Sequence, residues 1–101
     1  MPTDVSAIAE LDRLIHEPAR LALTAILSVV ESADFHYLQH ETGLTKGNLS
    51  SHLAKLEEAG YVAIEKTYRG RIPLTLVRLT ATGAAAYKAY RARFRKFLEK
   101  T

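Results

Sequence analysis

The run from Thr45 to Tyr61, TKGNLSSHLAKLEEAGY, constrains the rest of the chain most. Leu49, Leu53 and Leu56 recur at spacings of four and three, which places one apolar stripe along an α-helix. Thr45 suits the N-cap, and Gly60 suits the left-handed residue that ends such a helix. The face opposite the leucines carries Gly47, Asn48, Ser51, Ala54 and Lys55. A purely solvated face is usually richer in Glu and Lys, and here the acids wait until Glu57 and Glu58. Small side chains let a helix backbone approach a groove, and Asn, Ser and Lys can hydrogen-bond bases or phosphates. A core helix with a polar outer face is the competing reading, so the flanking segments have to decide.

After Gly60 the period changes. Tyr61 to Tyr68 alternates, with Val62, Ile64, Lys66 and Tyr68 on one side. Leu74 to Leu79 is again extended, and Arg69-Gly70-Arg71 lies between as a turn. These residues predict a β-hairpin with a basic tip. Pro73 lacks a ladder donor, so it is expected at an edge or at an irregular strand start.

Before the leucine stripe, a first helix is expected from about Ser6 to Ile15, capped by Asp4 or Ser6, with Ile8, Leu11, Leu14 and Ile15 apolar. Pro18 opens a second helix through ARLALTAILSVV, with Leu21, Ala22, Ala25, Ile26 and Val29 or Val30 facing inward. Ser32-Ala33-Asp34 is a break, with one or two extended residues near Phe35. A short third helix comes next, from His36 to Thr42, anchored by Leu38 and stopped by Gly43. A short helix, a Gly-containing turn and the Thr45 helix make a helix-turn-helix. Thr80 should cap a final helix over Ala81 to Lys100, slightly weakened by Gly83. Along it, Tyr87, Tyr90, Phe94 and Phe97 form an aromatic seam among Lys and Arg.

Charge is polarised along the chain. Residues 1–44 hold two Arg against seven acids, net −5, and residues 45–101 hold twelve Lys and Arg against four acids, net +8. The basic half begins with the leucine-striped helix, as a surface facing a polyanion would require. The absence of Cys excludes a disulfide framework and a Cys-based zinc site. The N-terminus lacks the pattern of a signal peptide, and no apolar run approaches membrane-span length. A cytoplasmic location without membrane contact is therefore expected. No Gly-rich phosphate loop, carboxylate pair or Ser–His–Asp order supports an enzyme. His36 and His40 share a helix face at i, i+4, but no third ligand is obviously placed, so neither a metal nor another cofactor is expected.

Helix-turn-helix joined directly to a basic-tipped hairpin is more specific than either part. The chain resembles the winged helix-turn-helix regulators of the ArsR and MarR families, in their short form of a DNA-binding domain plus a terminal helix. His16-Glu17-Pro18-Ala19-Arg20-Leu21-Ala22-Leu23 is similar to the family's helix opening. Leu49 to Val62 is similar to its recognition helix and the start of the next strand, and Leu79-Thr80-Ala81-Thr82-Gly83 to the helix opening after the wing. The expected fold is α+β, mainly α, in one domain over residues 1–101: an N-terminal helix within 1–17, a two-stranded wing and a C-terminal dimerisation helix over 81–100.

The resemblance implies a homodimer on double-stranded DNA, with the recognition helix at about 45–59 in the major groove. Lys46, Asn48, Ser51 and Lys55 then fall at groove-facing positions, while Thr45 and Ser50 reach phosphates. Arg69 and Arg71, in a wing over about 68–73, reach backbone or minor groove. Leu11, Tyr87, Tyr90, Phe94 and Phe97 are the expected dimer contacts, with Glu10 and Asp12 pairing the cations of the last helix. His52 is expected as a packed residue, and the chain is short for a large effector pocket, so no effector is named. The alternative is a winged-helix protein-interaction module without specific DNA binding.

Overall fold

The leucine stripe and the strand alternation meet in one core. The computed structural model describes residues 11–100. In chain order the elements are α1 Pro18–Leu27, β1 Ala33–Asp34, α2 Phe35–Thr42, α3 Lys46–Glu58, β2 Val62–Arg69, β3 Ile72–Leu79 and α4 Ala81–Glu99. Among the described residues, four helices and a three-stranded antiparallel sheet, in the order β1-β3-β2, make a mainly helical winged helix.

The helix boundaries obey local chemistry. Glu17 caps α1 by accepting from the Arg20 amide, and Pro18 occupies the first turn, where its missing N–H costs nothing. Asp34 caps α2 and Gly43 closes it with φ 70°. Thr45 caps α3 by accepting from the Asn48 amide, and Thr80 caps α4 by accepting from the Gly83 amide. The hairpin turns through Gly70 and Arg71, with φ 64° at Gly70, the first central position. A left-handed φ there is what a two-residue type II′ turn demands.

The core is built from Leu23 and Leu27 of α1, Leu38 of α2, Leu49, Leu53 and Leu56 of α3, Ala33 of β1, Val62 of β2 and Val77 of β3. All three leucines of the sequence stripe are buried. Val62 and Ile64 pair with Leu79 and Val77, so these four residues share the core-facing side of the hairpin.

Several expectations are corrected. Residues 1–10 lie outside the described residues, and over 11–17, where the first helix was expected to continue to Ile15, the chain is a series of turns. Asp12 accepts through its carboxylate from the amides of Leu14 and Ile15 and through its carbonyl from the His16 amide, so it caps a single turn that ends before Pro18 opens α1. The wing is joined by a third strand: Ala33 and Asp34 pair with Val77 and Leu76. Pro73 sits on β3, which is central in the sheet, but β1 reaches only Leu76 and Val77, so at Pro73 the strand has a single neighbour. The edge expectation for Pro73 therefore holds.

The inward face of α1 also differs. Leu23, Thr24 and Leu27 are buried, whereas Ala22 is exposed and Val29 is 80% exposed. The Thr24 hydroxyl satisfies itself on the Arg20 carbonyl at 2.7 Å, which lets a polar residue take a core position. Gly83 is not a mere weak point of α4. A Cβ there would sit 2.1 Å from the Tyr61 carbonyl oxygen, so only glycine permits the helix to cross the α3–β2 junction this closely. The Thr80 amide donates to the same carbonyl at 2.9 Å.

Candidate nucleic-acid interface

The exposed side of α3 and the hairpin next to it form one continuous surface. With Leu49, Leu53 and Leu56 inward, α3 turns Lys46, Gly47, Asn48, Ser50, Ser51, Ala54 and Lys55 to solvent. Thr45 is exposed at its cap, and Arg69 and Arg71 are exposed at the hairpin tip. All eight residues expected from the sequence to meet DNA thus lie on the protein surface, six along α3 and its cap and two on the wing. Among the described residues, none of Lys46, Lys55, Arg69 and Arg71 forms an ion pair with a carboxylate. Their charge is left to solvent or to a partner, which suits phosphate contact by counterion release.

A short polar network holds α3 against α1. Arg20 donates through Nε to the Leu14 carbonyl at 2.6 Å and through a terminal nitrogen to His52 Nδ1 at 3.0 Å. A guanidinium only donates, so His52 Nδ1 accepts and carries no proton in this arrangement. The Glu17 carboxylate lies 3.9 Å from the same nitrogen. Burial alone would raise the Glu17 carboxyl, but the hydrogen bond from the Arg20 amide and the charge of the Arg20 guanidinium outweigh it and hold the carboxyl below its usual range. His52 is therefore a half-buried strut, in keeping with its position beside the leucine stripe. Arg20, which the sequence marks only as part of a helix-opening motif, ties the two helices together.

Between α3 and the wing runs a cleft of about 370 Å³ lined by Lys46, Ser50, Ala54 and Glu57 of α3, Ile64 and Lys66 of β2, Pro73 and Thr75 of β3, and Phe35 and His36 of α2. Sequence reasoning missed Lys66 as a candidate. Its signal was present in the alternation, because Lys66 continues the side of β2 occupied by Val62 and Ile64 and so breaks an apolar row. His36 lines this cleft, while the His40 side chain is 87% exposed beside Glu41. Among the described residues, no group of three His, Cys, Asp or Glu is placed to hold a metal ion.

The expected dimer seam divides in two. Leu11 and Tyr90 are buried inside the chain with Ile15, and the Tyr90 hydroxyl hydrogen-bonds His16 Nδ1 at 2.7 Å. Tyr90, only 3% exposed, is thus covered by its own N-terminal segment rather than left for a partner. Asp12, expected to pair with cations of α4, instead accepts from the Tyr61 hydroxyl at 2.5 Å. Glu10 lies outside the described residues. Tyr87, Phe94 and Phe97 are half-buried, with Phe94 and Phe97 stacked at 6.1 Å between centroids. A shallow groove of about 430 Å³ joins Tyr87, Phe94 and Leu98 of α4 to Leu21, Ala22 and Ala25 of α1. The sequence missed Leu98, which is 58% exposed, because it lies outside the aromatic pattern.

Comparison with known proteins agrees with this geometry. A family model described as a winged helix DNA-binding domain matches residues 19–98. An uncharacterized protein of Methanocaldococcus jannaschii is 37% identical over 79 residues, covering 77% of this chain and 85% of its own. Among solved structures, a transcriptional regulator homologue from Pyrococcus horikoshii OT3 superposes with TM-score 0.86 at 28% identity, over 95% of this chain and 94% of its own. A MarR-family protein from Enterococcus faecalis V583 gives TM-score 0.75 at 25% identity, over 99% and 94% of the two chains. No described helix is long and apolar enough to cross a membrane. Family and fold alike are those of a DNA-binding module rather than an enzyme, and the chain belongs to the winged helix DNA-binding domain family.

Proposed function

We propose that the protein is a sequence-specific, double-stranded DNA-binding transcriptional regulator that acts in the cytoplasm as a homodimer. The observation that carries this reading is the α3–wing surface, where exposed cations and small polar side chains occur together without carboxylate partners. In this reading α3 enters the major groove with Lys46, Asn48, Ser51 and Lys55 toward the bases. Thr45 and Ser50 contact phosphates, and Arg69 and Arg71 reach the backbone or minor groove. Transcriptional regulation is supported by the likeness to the Pyrococcus horikoshii protein, itself a transcriptional regulator homologue.

The homodimer rests on α1. At about 100° per residue, Leu21, Ala22 and Ala25 lie on the side of α1 opposite Leu23, Thr24 and Leu27. A helix that is apolar on two opposite faces needs cover on both. The core covers one face, while the other opens into the groove shared with Tyr87, Phe94 and Leu98. A two-fold mate burying both copies of this groove gives an isologous interface. Its seam is Leu21, Ala22, Ala25, Tyr87, Phe94 and Leu98 rather than the Tyr90 line.

Selection of bound molecules from random duplex DNA tests the proposal. It should enrich a two-fold symmetric sequence whose half-sites are about 10 base pairs, roughly 34 Å, apart. Recovery of unselected sequence would leave a non-specific DNA binder or a protein-interaction module.

A further inference from the structure

We infer that the cleft between α3 and the wing grips the DNA strand dividing the major from the minor groove, with Lys66 of β2 as an additional phosphate contact. The inference rests on the DNA-binding reading and adds to it a contact residue, Lys66, that the reading does not use. If α3 occupies a major groove and the hairpin tip the adjacent minor groove, the sugar–phosphate strand between those grooves must pass between the two elements. The structure has an open channel there, lined by both.

Strand register shows why the channel is chemically suited. The core-facing side of the hairpin runs Val62, Ile64, Lys66 and Tyr68 on β2, opposite Leu79, Val77, Thr75 and Pro73 on β3. The first two pairs are apolar and pack on the core. The third is Lys66 with Thr75, and there the same side of the sheet leaves the core and becomes the roof of the cleft. A solvated strand would be expected to place its cation on the outer side. Here Lys66 is exposed beneath the wing and has no carboxylate partner among the described residues. On the helix wall, Lys46 and the Ser50 hydroxyl supply donors. Glu57 also lines the cleft and would repel a phosphate, against the attraction of Lys46 and Lys66. The apolar lining by Ala54, Ile64 and Pro73 suits deoxyribose.

Salt dependence of binding to a random-sequence 30-base-pair duplex, monitored by fluorescence anisotropy, tests this assignment. Each phosphate contact contributes about 0.9 to the log–log slope. Lys66→Gln should therefore make the slope shallower by about 1.8 for a dimer with one such contact per protomer. Arg78→Gln is the matched control. Arg78 is on the same hairpin but pairs with Ala63 on the outer side, near Glu31 and Glu65. It should leave the slope unchanged. Equal slopes for wild type and Lys66→Gln, or equal changes for Lys66→Gln and Arg78→Gln, would overturn the cleft assignment while leaving DNA binding intact. A wild type with no salt-dependent binding would overturn the DNA-binding reading and this inference with it.

Discussion

The α3–wing surface and the α1–α4 surface are both open to solvent, but they are built from opposite materials. The first presents Lys46, Lys55, Lys66, Arg69 and Arg71 among Gly, Ser and Asn, with no carboxylate partner for these cations among the described residues. The second presents mainly Leu21, Ala22, Ala25, Tyr87, Phe94 and Leu98, with Arg91 folded over the Tyr87 ring at 5.8 Å and Arg95 also lining the groove. A cationic surface with short side chains gains from a polyanion and loses nothing when hydrated. An apolar surface gains only by being covered. On the proposed reading, recognition belongs to α3 and the hairpin, and assembly to α1 and α4.

The largest effect should come from breaking the apolar side. Phe94→Glu with Leu98→Glu should give a folded monomer by sedimentation, and operator affinity should fall by about 10²–10⁴, the usual gain from linking two sites. A double variant that remains dimeric would move the interface elsewhere. Next is the partition between the two surfaces. Leu53 is 2% exposed and holds α3 to the core, so Leu53→Ala should cost about 2–5 kcal/mol in denaturant unfolding, and a loss under about half a kcal/mol would contradict the packing of α3. The wing tip should give a smaller and purely electrostatic change. Arg69→Ala with Arg71→Ala should weaken all duplex sequences alike and make the salt slope shallower by about 0.9 per phosphate lost, whereas Asn48→Ala and Ser51→Ala should change which sequence is preferred.

The smallest effect concerns the N-terminal segment that shields Tyr90. The Tyr61 phenol is pushed up to about 12, first by its hydrogen bond to Asp12, then by burial and by the carboxylate charge. A folded value above the unfolded value near 10 means that its stabilisation is fully present below about pH 10 and is lost as pH rises toward 12. Tyr61→Phe should cost about 1 kcal/mol at neutral pH, and the difference between wild type and variant should shrink across that window in unfolding titrations. A difference that stays constant from pH 8 to 12 would show that this hydrogen bond does not contribute.

Much of the fold was legible in residues whose signal is local. The spacing of Leu49, Leu53 and Leu56, the caps at Thr45 and Thr80, and the turn at Gly70 each act within a few positions, and each element formed where they placed it. Distant neighbours decided the parts that escaped the sequence. Leu21, Ala22 and Ala25 looked like core because apolar periodicity reports a face that wants cover, not which body covers it. Tyr90 looked like interface for the same reason, although His16 and Ile15 cover it from the same chain. Gly83 read as a weak helix position until the Tyr61 carbonyl was placed against it. Lys66 was legible as an interruption in an apolar row, but its use depended on knowing that α3 forms the opposite wall.

Amide chemical-shift mapping on the wild-type protein, titrated with duplex DNA, tests the separation of the two surfaces most directly. Shifts should concentrate in residues 45–55 and 66–75, with residues 21–29 and 87–98 nearly unmoved. Shifts concentrated on residues 87–98, with α3 and the wing silent, would contradict that separation.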